Sequence, residues 1–172
     1  MRSTVEGDSL PSYASLREEV VGYLTARFGI GGPELERLLF LERGGEVWAA
    51  TCRAPETLSL ARPEGLRALR RVEGGFKPTS ALLEVLGRSI TAARLEVEGV
   101  DELGALLRGQ DIPTSTSSGF VAISFRGDVL GCALAQNGRA RALIPTGRRQ
   151  ELLEVLAADR RLRQPGDSSP AS

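Results

Sequence analysis

The dipeptide Asn137-Gly138 constrains the fold more than any other feature of this chain. It sits between two largely apolar runs, 129–136 and 139–144. A two-residue loop of this type is the strongest short-range signal of a β-hairpin, because both residues enter left-handed backbone at small cost. A second tight connection, Arg126-Gly127-Asp128, joins the run 129–136 to an earlier one at 119–125. A turn is wanted there, so an adhesion role for that tripeptide is discounted. Three consecutive strands follow, forming a β-meander. Pro145 ends the last strand, and Gly147 leads into a helix carrying Leu152, Leu153 and Leu156. Ahead of the meander, 101–108 reads as a short helix stopped by Gly109. Gln110-Asp111-Ile112-Pro113 then links it to the polar loop 114–118. A domain boundary is expected near 99–101.

The front of the chain alternates helix and strand signals. Leu16, Val20, Val21, Leu24 and Phe28 recur at helical spacing. Gly31-Gly32-Pro33 makes a turn with proline ready for a first helical position, and Leu35, Leu38 and Leu39 predict a short second helix. Gly44-Gly45 breaks it, and 47–52 reads as a strand. Pro63-Glu64 predicts a helix through Leu66 and Leu69. Thr79 or Ser80 can cap a helix with Leu82, Leu83 and Leu86, stopped by Gly87. Residues 90–98 look extended, with Leu95 and Val97 on one face. The chain therefore divides into a flexible N-terminus at 1–12, an α/β domain at 13–98, a second domain at 99–163 and a disordered tail at 164–172. No internal repeat is found.

Composition removes several functions. With 172 residues and 41% apolar content the chain can bury a core. Lys plus Arg and Asp plus Glu are 22 each, which excludes a disordered polyelectrolyte. No His is present, so the usual neutral-pH base and the commonest metal ligand are missing. Cys52 and Cys132 cannot hold a structural zinc alone. They sit in apolar strands and are expected to be buried. No apolar run approaches the ~20 residues of a membrane span. Residues 1–10 include Glu6 and Asp8 and do not read as a signal peptide. A cytoplasmic protein is expected. Lys77 is the only lysine, every other basic residue being Arg; the guanidinium fork suits phosphate, although a GC-rich genome is the plainer reading of that bias. Asn137 is the only Asn, which is compatible with a thermophilic source.

Charge is segregated. Residues 119–164 carry +4, and residues 1–118 carry −3. The basic back end favours a polyanionic partner. Arg139 and Arg141 alternate on one strand, so both point to one face ~7 Å apart, a useful spacing for neighbouring phosphates. With Arg148 and Arg149 they could form a basic stripe. The alternative is a solvent-facing strand whose Arg residues pair with helix carboxylates. The hydroxyls of 114–118 could accept a phosphate, although a surface loop is the plainer reading. Gly29-Ile30-Gly31-Gly32 lacks the spacing of a dinucleotide loop, and no glycine-rich loop follows a strand. A cofactor-binding methyltransferase core is therefore not expected in this chain. Trp48 reads as core. Phe120 and Phe125 fall on opposite faces of their strand, one in the core and the other available to stack. Without His, a catalytic base would have to be Asp, Glu, Tyr or Lys77. Only Asp111 and Asp128 lie in suitable loops, and neither has a paired partner. No catalytic residue, metal or cofactor is expected.

The layout Leu107-Arg108-Gly109-Gln110-Asp111-Ile112-Pro113, Gly119-Phe120-Val121, Gly127-Asp128-Val129-Leu130-Gly131 resembles a PUA domain, the RNA-binding module of pseudouridine synthases and archaeosine transglycosylases. The continuation Asn137-Gly138-Arg139-Ala140-Arg141 and Ile144-Pro145 is similar to the PUA-like tails of Sun-family RNA cytosine methyltransferases. The order of the two domains resembles the archaeal and eukaryotic Nip-seven ribosome-biogenesis proteins. The resemblance implies an α+β chain, an α/β pre-PUA domain followed by a PUA-like β pseudo-barrel with flanking helices. It implies RNA contact through Arg108, Gly109 and the 110–118 loop including Gln110. Arg139 and Arg141 lie where a backbone-tracking strand could be, and Arg148 and Arg149 extend that stripe. The implied role is non-catalytic recognition of structured rRNA or tRNA, beside a modification enzyme or pre-ribosomal protein. A protein-interaction adaptor of such a complex is the second expectation.

Overall fold

The computed structural model describes residues 13–51 and 65–163. The readings of both chain ends, of Cys52 and of a helix start at Pro63-Glu64 lie outside the described residues. The first helix, α1 (Tyr13–Phe28), buries Leu16, Val20, Leu24 and Phe28 along one stripe, as their spacing requires. The five-residue α2 (Gly32–Glu36) follows, with proline in its first turn.

Four strands come next: β1 (Leu38–Arg43), β2 (Glu46–Thr51), β3 (Leu66–Val72) and β4 (Gly75–Pro78). They pair in sequence order, all antiparallel. This corrects two helix expectations and the α/β description of the front half, which is an antiparallel meander with α1 laid on one face. Leu38 and Leu39 are in β1 because the Gly44-Gly45 turn pairs this segment with β2, from Leu38↔Thr51 to Arg43↔Glu46. Leu66 and Leu69 mimic helical spacing because the β2–β3 register shifts between Val47 and Trp48. The irregularity leaves consecutive Ala68 and Leu69 both buried. Trp48 is not in the core. Val47 and Ala49 take the inward positions, so alternation turns Trp48 to the outer face, where it is half-buried.

α3 (Ser80–Val85) is capped by Thr79, whose side chain accepts a hydrogen bond from Leu82 N at 3.2 Å. A single 3₁₀ turn (Gly87–Ser89) leads to β5 (Arg94–Val97), with Leu95 and Val97 both buried. The remaining elements are α4 (Val100–Leu107), β6 (Ile112–Pro113), β7 (Gly119–Phe125), β8 (Asp128–Gln136), β9 (Arg139–Ala142) and α5 (Thr146–Arg163). The second sheet has the order β5-β7-β8-β9-β6, with β5 parallel to β7 and the other pairs antiparallel. It thus takes a strand from before residue 99. Both expected hairpins form. Arg126 and Gly127 have φ of 53° and 89°, and Asn137 and Gly138 have 52° and 73°, the backbone of primed two-residue turns. The chain as a whole is α+β, with a curled second sheet.

Two cores result, and the second sheet separates them. One joins α1, the inner face of the first sheet and α3 to Ala122 and Cys132 on one side of β7 and β8. The other joins α4 to Val121, Ile123, Phe125 and Ala133 on the opposite side, with Leu152, Leu153 and Leu156 of α5 at its rim. Phe120 packs against the first core and Phe125 lies in the second. Neither ring is presented for stacking. Among the described residues no helix is long and apolar enough to cross a membrane.

Candidate nucleic-acid interface

The candidate surface is built around the loop that leaves α4. The helix ends in a two-bond cap: Gly109 N donates to Leu106 O and Gln110 N to Ala105 O, both at 3.0 Å. Gly109 has φ of 90°, which favours glycine. A Cβ there would also stand 3.4 Å from Arg149 Nη1, so the first turn of α5 lies directly beneath this cap. Arg149 Nη2 donates to Thr146 Oγ1 at 3.2 Å. Its Nε is buried with no hydrogen-bond partner among the described residues.

One residue further on, Asp111 meets β9. Arg139 and Arg141 are exposed while Ala140 and Ala142 are buried, so alternation does put both guanidinium groups on one face. Arg141 grips the Asp111 carboxylate with both arms of its fork, Nε to Oδ1 at 2.9 Å and Nη2 to Oδ2 at 3.2 Å. The Arg141 hydrogen bonds hold the Asp111 carboxyl below the usual carboxylate range. Arg139 Nη2 donates to the Asp111 backbone carbonyl at 2.5 Å. A cleft lined by Asp111, Leu134, Gln136, Arg139 and Arg141 opens beside them.

The structure therefore gathers Gly109, Gln110, Arg139, Arg141 and Arg149 around one loop. It does not extend the stripe to Arg148, which bridges Glu84 of α3 at 3.2 Å and Glu151 at 3.1 Å. Arg108 is exposed but is drawn away from that loop. Arg108 folds back over Gly104, where a Cβ would stand 3.2 Å from its Nη1, in the groove between α4 and α5. A partner distant in sequence, Glu84, decided the case of Arg148, whereas Arg108 turns back along its own helix. The loop 114–118 is also committed: Arg27 of α1 donates to Phe120 O at 2.7 Å and to Ser117 O at 3.2 Å. Thr116 N donates to Thr114 Oγ1 at 3.0 Å. The loop is a fixed brace rather than an open hydroxyl cradle.

Residues 100–150 match the family model of the PUA domain of methyltransferase RsmF. The chain carries a PUA-like domain. The matched segment spans α4 through the start of α5 and includes every residue gathered at the loop. A PUA domain points to RNA as the class of ligand. No curated protein matches the chain closely enough to name a relative. Among the described residues no cluster of three or more His, Cys, Asp or Glu is placed to hold a metal ion. The front half adds cations that sequence reasoning did not place on a binding surface: Arg67, Arg70 and Lys77 on β3 and β4. The signal available was the second glycine turn, Gly74-Gly75, which makes 66–78 a hairpin and sets Lys77 opposite Arg70.

Proposed function

We propose that this chain is a non-catalytic RNA-binding protein that acts in RNA modification or ribosome biogenesis, holding structured RNA at the loop 109–111 through Arg139, Arg141 and Arg149. The match of 100–150 to a methyltransferase's PUA domain carries the reading. The cations around the loop support it: Arg139 and Arg141 of β9 and Arg149 of α5 outnumber Asp111, whose carboxylate occupies the Arg141 fork in the way an RNA phosphate would. The non-catalytic part rests on chemistry. The chain has no His, and Asp111 is held ionised in an ion pair, which leaves no poised base at the loop.

RNA affinity measured against salt tests the reading. Arg139→Ala with Arg149→Ala should weaken binding of a structured RNA and lower the slope on log salt by ~0.9 for each phosphate no longer neutralised in duplex regions. Asp111→Asn should strengthen binding by releasing the Arg141 fork. Unchanged affinity and slope in the double variant, with no gain in Asp111→Asn, would remove this loop from the interface.

A further inference from the structure

A second cationic site lies away from that loop, on the outer face of the first sheet. The register sets Glu46 opposite Arg70, and Arg70 opposite Lys77. Arg67 stands opposite Trp48 in the next row of the same face. Three cations thus converge with one carboxylate. Glu46 is bound by Arg70 Nη2 at 2.6 Å and lies 3.8 Å from Arg67 Nε. The Lys77 side chain makes no ion pair or hydrogen bond among the described residues, and the residue is half-buried. These side chains line a cleft of about 220 Å³ whose other wall is Leu143 and Pro145, from the segment between β9 and α5. The cleft is therefore shared between the first sheet and the PUA-like half.

Its chemistry is two-sided. One wall offers ammonium and guanidinium groups with a surplus of positive charge. The other offers apolar surface of the kind a ribose or a base face covers. A lone phosphate needs only the first wall. The half-buried Trp48 indole on the adjoining row gives a following base something to stack on. The geometry points to a single-stranded RNA site: one nucleotide seated in the cleft, its phosphate on Arg67, Arg70 and Lys77, and the next base against Trp48. The site rests on the RNA-binding reading above and extends it. It would hold a single-stranded flank of an RNA whose structured part lies on the 109–111 loop.

Lys77 makes the test direct, because it is the only lysine in the chain. Reductive ¹³C-methylation of the full chain labels Lys77 and the terminal amine and keeps the lysine charge. On titration with a short single-stranded oligoribonucleotide, the Lys77 methyl resonance should shift and saturate at concentrations where inorganic phosphate leaves it unmoved. Arg67→Gln with Arg70→Gln should then lower the salt slope for that oligonucleotide by ~0.7 for each phosphate no longer neutralised. If the Lys77 signal stays fixed while structured RNA still binds, the cleft proposal falls and the loop reading stands. If the signal shifts with oligonucleotide but Arg139→Ala with Arg149→Ala binds structured RNA normally, the loop reading falls and the cleft stands. An equal response to inorganic phosphate overturns the nucleotide assignment and makes the cleft an anion site only. A response to an acidic peptide but not to RNA overturns it in favour of a protein partner.

Discussion

Gly131 sits where the two halves pack backbone against side chain. Its φ is 147°, and a Cβ would stand 2.7 Å from Ile144 Cγ1 and 2.8 Å from Ser80 Oγ. Ser80 Oγ is itself fixed, accepting a hydrogen bond from Cys132 N at 3.1 Å. An alanine methyl would meet groups that cannot withdraw without breaking this buried bond or shifting the segment between β9 and α5. Gly131→Ala should therefore cost ~2–4 kcal/mol, from backbone strain plus overpacking. Gly147 in the first turn of α5 is the control, since nothing lies within 4 Å of its Cβ position. Gly147→Ala should be neutral or stabilise by up to ~1 kcal/mol. Urea unfolding of the two variants decides this: equal midpoints would show that the Ser80–Gly131 contact is soft.

Among the elements, α5 is the most loosely held. None of its residues is fully buried, and Leu162 is 82% exposed. Its N-terminal half rests on α4 through Leu152, Leu153 and Leu156. Beyond Ala157 the described attachments are ion pairs: Arg126–Asp159 at 3.1 Å and Arg160–Asp101. Exposed pairs of this kind contribute ~0–1 kcal/mol each. Amides of 158–163 should therefore exchange with deuterium well before those of α1 or β7, with Arg126→Ala accelerating them further. Protection there equal to that of α1 would mean that something stronger holds the helix. The same elements show what a sequence can disclose. The two hairpins of the second sheet were legible because each is specified by its own turn residues. α1 was legible because its stripe is long and regular. β1 and β3 were not. Each has leucines at spacing ambiguous between helix and strand, and partners across a turn or a bulge settled the matter. At the candidate site, alternation placed Arg139 and Arg141 together. The engagement of Arg141 by Asp111 and of Arg148 by Glu84 depended on residues 30 and 64 positions apart, which no local pattern encodes.

Across the whole molecule, the β7–β8 layer is buried on both faces, and this gives folding stability a defined dependence on alkali. Cys132 lies within that layer, 1% exposed. Burial pushes its thiol up from 9.0 to about 12, with the Lys77 charge offsetting a little of the shift. Tyr23, packed on Phe28 and Phe76 in the same core, is shifted upward as well, chiefly by burial. Below pH 9 the thiol is protonated in both the folded and the unfolded chain. Between pH 9 and about 12 the unfolded thiol ionises while the folded one keeps its proton. The unfolded state then binds fewer protons, so stability falls as pH rises. With no His in the chain, little titrates between about pH 6 and 8, and stability should be flat there. Urea midpoints should therefore form a plateau through neutrality and decline above pH 9. Cys132→Ala should lower the plateau by ~1 kcal/mol for the small cavity it leaves, yet decline less steeply above pH 9. A variant whose alkaline limb runs parallel to that of the native chain would show that Cys132 is reached by solvent. That result would also mean that the layer shared by the two cores opens without unfolding, and the halves would then have to be treated as separable units.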